Sequence, residues 1–274
     1  MNFLILIVKG FIIGLAKIIP GVSGAILAIS MGIYEKAIYS ISNFFKKPFE
    51  NIKFLLPLVI GVFLAIVIGS KAVLFLINNF YLPTMLLFIG LIIGGMTNIF
   101  NKIKLKDLTK FQYLIMTICF SFVFLLSFVG KQNYFITSHN SFLDTIIFII
   151  IGIIDAVTMV IPGISGTAVM MLLGLYDILL ELLGSLTNFN TIIANLNLLI
   201  PYAIGIIATI FILSKIMNYL FNKKETTTYC GIIGFATSSV FMLFLDTLNK
   251  DYQLIEIIIS LMMLLIGTLL ARSK

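Results

Sequence analysis

The chain holds 274 residues, of which 18 are Lys or Arg and 11 are Asp or Glu, giving a formal net charge of +7, and 61% are hydrophobic. A soluble domain carries about 25% charged residues. A charged share of 11% with a mean hydropathy of +1.17 therefore places the chain in a membrane and excludes soluble enzymes and DNA-binding proteins.

Apolar runs such as 80–100 and 111–130 have the roughly 17–25 residue length of a helix crossing a hydrocarbon core of about 30 Å. The fold class is thus an all-α polytopic membrane protein, read as a single transmembrane domain over 1–274. The opening segment, about 2–19, lacks a basic n-region and a small-residue cleavage site, so it is expected to be retained. It ends at Ile19-Pro20-Gly21-Val22-Ser23-Gly24 and is followed by segments at about 22–42, 54–78, 83–100 and 112–130. The next five lie at about 143–161, 163–183, 199–220, 228–246 and 254–271. Cys119 and Cys230 fall inside separate apolar segments and are expected to be packed thiols.

The first junction returns as Ile161-Pro162-Gly163-Ile164-Ser165-Gly166 at an offset of 142. The register continues through Gly32/Gly174, Tyr34/Tyr176 and Glu35/Asp177. At an offset of 144 it resumes with Pro57/Pro201, Gly61/Gly205, Ser70/Ser214, Lys71/Lys215, Thr84/Thr228 and Gly90/Gly234. Chance does not keep such a register, so the halves, about 1–130 and 143–271, are copies of one unit.

Basic residues then set sidedness. The connections 43–53, 101–111 and 221–226 and the tail are rich in Lys or Arg and belong inside; 79–82, 131–142, 184–198 and 247–253 are poor in them and belong outside. This alternation puts both chain ends on the cytoplasmic side. It also makes the first pair of segments of one half leave from and return to the opposite side from its counterpart. The halves are expected to be inverted repeats, an arrangement of transporters with a site near the midplane. Each Pro-Gly-x-Ser-Gly hairpin is expected to be re-entrant, since broken backbone at membrane depth is tolerated where it lines a cavity.

After Pro20 and Pro162 a helix restarts whose first amides have no intrahelical acceptor. Gly21, Gly24, Gly163 and Gly166 permit close approach, and Ser23, Ser165 and Thr167 add hydroxyl donors. Amides, hydroxyls and the positive end of a helix make an anion pocket. The alternative is a plain hairpin turn with serine caps. Lys17, three residues before Pro20, and the paired Lys71 and Lys215 are candidates for neutralising the anion, with snorkelling as the alternative. Asp155 is the leading candidate for a coupling carboxylate; Glu35 and Asp177 are further candidates, read chiefly as rim caps or pairs. No metal-ligand cluster is present, and no cofactor is expected. The only histidine, His139, and the only arginine, Arg272, lie in a connection and the tail, which argues against a phosphatase.

Gly10-x3-Gly14-x5-Pro20-Gly21-Val22-Ser23-Gly24 with Gly32-Ile33-Tyr34-Glu35, echoed by Pro162-Gly163-Ile164-Ser165-Gly166-Thr167 and Gly174-Leu175-Tyr176-Asp177, resembles the bacterial polyprenyl-phosphate transporter family. The resemblance extends over nearly the whole chain, Ser70-Lys71 and Ser214-Lys215 included. It implies a protein of the cytoplasmic membrane that returns undecaprenyl phosphate, the lipid carrier of cell-wall precursors, from the outer to the inner leaflet. The two motifs would cradle the phosphate and nearby lysines neutralise it. The partners implied are this lipid and the bilayer, with no nucleic acid; a homo-oligomer stays open, as does the coupling ion. Two alternatives remain, an integral membrane polyprenyl-diphosphate phosphatase and a small-anion transporter.

Overall fold

The computed structural model describes residues 2–18, 22–103, 107–126, 142–164, 189–248 and 251–272, together with positions 166, 169–170, 173–175, 178–179 and 182. Among these the chain is helical, with no strand. The helices are α1 (Phe3–Ile18), α2 (Gly24–Ser30), α3 (Tyr34–Ser42), α4 (Pro48–Leu64), α5 (Ser70–Asn79), α6 (Tyr81–Lys102) and α7 (Lys110–Leu126), followed by α8 (Phe142–Val160), α9 (Phe189–Ala194), α10 (Leu196–Lys223), α11 (Glu225–Leu248) and α12 (Leu254–Ala271). Five of them, α6, α8, α10, α11 and α12, are long and apolar enough to cross a membrane. Large apolar side chains cover the outer surface: on α12 alone Leu254, Ile255, Leu269 and Leu270 are exposed, which a bilayer favours and water does not.

Local chemistry explains several of the boundaries. Pro48 opens α4 in the first turn, where its missing N–H costs nothing, and Glu50 sits beside the positive helix end. A reciprocal capping box between Gln253 and Glu256 starts α12. Two segments differ from the lengths that hydropathy suggests. The apolar run 22–42 is two short helices, because Gly32 takes a left-handed φ of +67° and ends α2 after seven residues. Gly174, its counterpart at offset 142, takes a φ of +65°. The run 54–78 begins earlier, at Pro48, and is interrupted between α4 and α5 by a π-turn at Ala65–Gly69, immediately before Ser70 and Lys71.

Glycines set how closely the long helices cross. A Cβ at Gly61 would collide with the Ile7 carbonyl oxygen, and one at Gly10 with that of Leu58, so α1 and α4 lie backbone to backbone. The same contacts recur between α8 and α10: Gly205 faces the Ile149 carbonyl and Gly152 that of Tyr202. Ile7, Gly10, Leu58 and Gly61 map onto Ile149, Gly152, Tyr202 and Gly205 at offsets of 142 and 144. The last helices are exchanged between the halves. Gly90 of α6 meets the Leu264 carbonyl of α12, and Gly234 of α11 meets the Met116 carbonyl of α7. Substituting Gly61 by valine is expected to drive α1 and α4 apart and to cost about 1–3 kcal/mol, read as a lower thermal midpoint in detergent, whereas valine at Gly32, where a Cβ meets nothing within 4 Å, is penalised by its φ alone.

The core that positions the motifs is built around α2. Ala25, Ile26, Leu27 and Ala28 are all buried, packed on α6, α1 and the Met217 face of α10. Seven residues rise only about 10 Å as helix, so α2 lies within the bundle rather than across it.

Candidate functional site

The two motif regions touch. Ser23, in extended backbone just before α2, is buried, and its Oγ accepts a hydrogen bond of 3.1 Å from the Gly163 backbone N–H, 140 residues away. Gly163 adopts a φ of +96°, and its carbonyl accepts a hydrogen bond from Ser239 Oγ on α11. Pro162 and Ile164 beside it are buried as well. Gly24 begins α2 against Ile13 of α1. Tyr34 reaches across to donate its hydroxyl to the Val160 carbonyl at the end of α8.

Next to this contact lies a partly buried ion pair. Lys17 Nζ is 3.0 Å from Asp155 Oδ2 and 3.2 Å from Oδ1, and it also contacts Met159 Sδ at 3.0 Å. The Asp155 side chain is 3% exposed and that of Lys17 29%. Tyr202 on α10 donates to the same Oδ2 at 2.7 Å. A Cβ at Gly166 would lie 2.6 Å from Thr158 Oγ1 and 3.5 Å from Asp155 Oδ1, so the second motif rests directly on the pair. Carboxylate, ammonium and phenol thereby satisfy one another in a region where an unpaired charge would be costly.

Of the residues singled out from sequence, the structure brings Lys17, Ser23, Gly24, Asp155, Pro162, Gly163 and Gly166 into one neighbourhood. Lys17 and Asp155, read separately as a pocket cation and a coupling carboxylate, are each other's partners. Glu35 lies elsewhere, paired with Lys102 of α6 and the hydroxyl of Tyr229 on α11. Lys215 is exposed on α10, and its neighbour Ser214 is fully buried with no hydrogen-bond partner for its Oγ. Pro20, Gly21, Ser165, Thr167 and Asp177 lie outside the described residues, as does the side chain of Lys71. Sequence reasoning missed Tyr202 and Ser239, and also Lys102 and Tyr229. The signal for Tyr202 was available: the offset of 144 pairs it with Leu58, and that of 142 pairs Asp155 with Ile13, so one half carries polar groups where the other is apolar. No group of three His, Cys, Asp or Glu side chains able to hold a metal ion occurs among the described residues.

The arrangement defines a multi-pass α-helical membrane protein in which the two motif regions meet beside a partly buried ion pair. Residues 13–257 match the sequence model of the family described as undecaprenyl phosphate translocase-like, and the chain belongs to that family. It is 31% identical over 242 residues, 87% of this chain and 85% of the relative, to a protein of Staphylococcus aureus (strain NCTC 8325 / PS 47) named polyprenyl-phosphate transporter. It is 26% identical over 249 residues, 85% of this chain and 75% of the relative, to a protein of the same name from Vibrio cholerae serotype O1 (strain ATCC 39315 / El Tor Inaba N16961). No solved structure matches.

Proposed function

We propose that the protein translocates undecaprenyl phosphate from the outer to the inner leaflet of the cytoplasmic membrane, recycling the carrier for cell-wall synthesis, and that it is a transporter rather than an enzyme. The observation that carries this reading is the hydrogen bond from the Gly163 N–H to Ser23 Oγ, which joins the two Pro-Gly-x-Ser-Gly loops at a buried point. Loops at opposite membrane faces would not meet; loops of two re-entrant hairpins do. The seven-residue α2 and the equal Gly10/Gly61 and Gly152/Gly205 crossings support inverted repeats that carry such hairpins. The names of the two relatives support the substrate class.

In this reading the phosphate parts Ser23 from Gly163, taking the freed amide and hydroxyl together with Ser165 and Thr167. Lys17 supplies positive charge when the phosphate draws it from Asp155, which is the candidate coupling carboxylate. Lys71 and Lys215 add positive charge that neutralises the phosphate. The apolar outer surface leaves the isoprenoid tail in lipid while only the headgroup enters the protein.

The test reconstitutes the purified chain in liposomes with labelled undecaprenyl phosphate and follows its accessibility in each leaflet. Wild type is expected to equilibrate the lipid. A hydrogen bond to a charged group is worth about 1.5–3 kcal/mol, so Ser23→Ala and Ser165→Ala are each expected to slow equilibration roughly tenfold or more, and Lys71→Ala less. Phosphate release from a polyprenyl diphosphate, or no lipid movement with or without an ion gradient, would overturn the reading.

A further inference from the structure

A second polar cluster lies apart from the Lys17–Asp155 pair, at the end of the bundle where α6 and α10 finish and α11 begins. It surrounds a cavity of about 520 Å³, within the range of small-ligand pockets. Lys9, Lys36 and Lys102 line it against a single acid, Glu35, with Tyr229 and Phe221 completing one wall. Glu225, one turn before Tyr229 on α11, is a further acid close by, and with it counted the surroundings are still net positive.

The cavity also opens on the start of α3, a nine-residue helix with no side-chain cap, through Gly32, Tyr34, Glu35 and Lys36. The first amides of such a helix lack intrahelical acceptors and favour an anion. In this structure the anion there is the chain's own. The Glu35 carboxylate accepts hydrogen bonds from Lys102 Nζ and from the Tyr229 hydroxyl, and Lys102 also donates to the Tyr229 oxygen at 2.8 Å. Lys9 Nζ is held by the Met31 carbonyl at 2.7 Å, and Lys36 lies over the Phe54 ring. Each lysine is thus tethered by a neutral partner or by the one carboxylate, and three ammonium groups face one negative charge.

We propose that this cavity is a second phosphate-monoester site, separate from the paired motifs, in which the Glu35 carboxylate holds the place of the phosphate. An incoming phosphate monoester, carrying about −1.5 to −2 charges at neutral pH, takes Lys102 and the Tyr229 hydroxyl from Glu35 and draws in Lys9 and Lys36. Glu35 is then a displaceable latch. The choice of ligand class rests on the lipid-phosphate reading above; a polyprenyl phosphate headgroup and free phosphate share the chemistry.

The test uses the full chain in lipid nanodiscs and measures binding of farnesyl phosphate, inorganic phosphate and farnesol, in wild type and in a Ser23→Ala background that weakens the motif site. Glu35→Gln, which keeps shape and removes the competing charge, is expected to tighten farnesyl phosphate binding several-fold in both backgrounds. Lys102→Met is expected to weaken it at least as much. Equal tightening for inorganic phosphate supports the site with a soluble anion as its ligand; tightening confined to farnesyl phosphate supports it with a lipid ligand. Unchanged affinity in Glu35→Gln, or farnesol binding as well as farnesyl phosphate, overturns it. If Lys102→Met fails to fold, the near-isosteric Glu35→Gln carries the test alone. Lipid equilibration in liposomes reports separately on the lipid-transport reading: its absence beside a tightened Glu35→Gln sinks that reading and leaves the site standing.

Discussion

Replacing Lys17 with methionine is expected to cost the folded protein about 3 kcal/mol, because it strands a carboxylate that is 3% exposed. At roughly 2–4 °C per kcal/mol for a chain of this size, the thermal midpoint in detergent falls by roughly 6–12 °C. The remaining bond from Tyr202 to Asp155 Oδ2 keeps the loss from being larger. The double variant Lys17→Met, Asp155→Asn removes both charges while leaving an acceptor for Tyr202, and is expected to recover most of that midpoint. Its leaflet equilibration should nevertheless stay at least tenfold slow, since the cation that meets the phosphate and the acid that answers it are both gone. The pair of readouts separates the two roles. A double variant that is both stable and fast would show the pair to be structural only, and an unshifted midpoint in Lys17→Met would show that the ion pair contributes nothing to the fold.

That pair also marks the limit of what one sequence can disclose. The all-α membrane class follows from composition, and the internal repeat from spacing, since both are properties of the chain taken in order. Helices α1, α8, α11 and α12 lie within a few residues of the apolar segments because the hydrophobic runs themselves set their bounds. The break at Met31–Ile33 was harder to read. An apolar stretch of 20 residues looks the same whether it crosses a membrane or folds into two short helices, and only Gly32, repeated as Gly174, hinted at a left-handed turn. The π-turn at Ala65–Gly69 has no comparable mark.

The site was legible in part. Both motifs were visible as copies, but their meeting is a contact between Ser23 and Gly163, 140 residues apart, which sequence spacing does not encode. Lys17 and Asp155 are 138 residues apart, and no local pattern joins them. Comparing the halves position by position would have helped. Lys17 stands opposite Met159, and Asp155 opposite Ile13, at the same offset of 142, and the charged residues of α1 (Lys9 and Lys17) are all basic while those of α8 (Asp144 and Asp155) are all acidic. The same asymmetry bears on mechanism. The pair draws its cation from α1 and its acid and phenol from α8 and α10. In the proposed transport reading, a single ligand at such a centre meets different chemistry on its two sides, which would give movement a direction.

Gly163→Ala is expected to be the most damaging single substitution of a motif residue. At a φ of +96° a side chain costs about 1–2 kcal/mol in backbone strain alone, and the added Cβ would collide with the Phe235 Cβ and crowd the Ala236 backbone N–H on α11. Those atoms belong to a buried helix that cannot shift without moving its contacts with α7 and α6, so about 1–3 kcal/mol of overpacking adds to the strain. Any escape of the 162–164 turn from α11 also breaks the bond from the Gly163 N–H to Ser23 and that from Ser239 to the Gly163 carbonyl. Stability and the junction between the motifs are therefore lost together, and the variant should give little monodisperse protein by size-exclusion chromatography and no leaflet equilibration from what is recovered. Gly24→Ala is the control. Gly24 lies in an ordinary helical conformation, and its added Cβ would sit 3.2 Å from the Ile13 side chain and carbonyl, a contact that a few tenths of an ångström relieve. It should fold with a midpoint near wild type and retain transport. Equal damage from the two alanines would mean that volume at the motifs, rather than the left-handed turn holding Gly163 against Ser23 and Ser239, decides whether the centre forms.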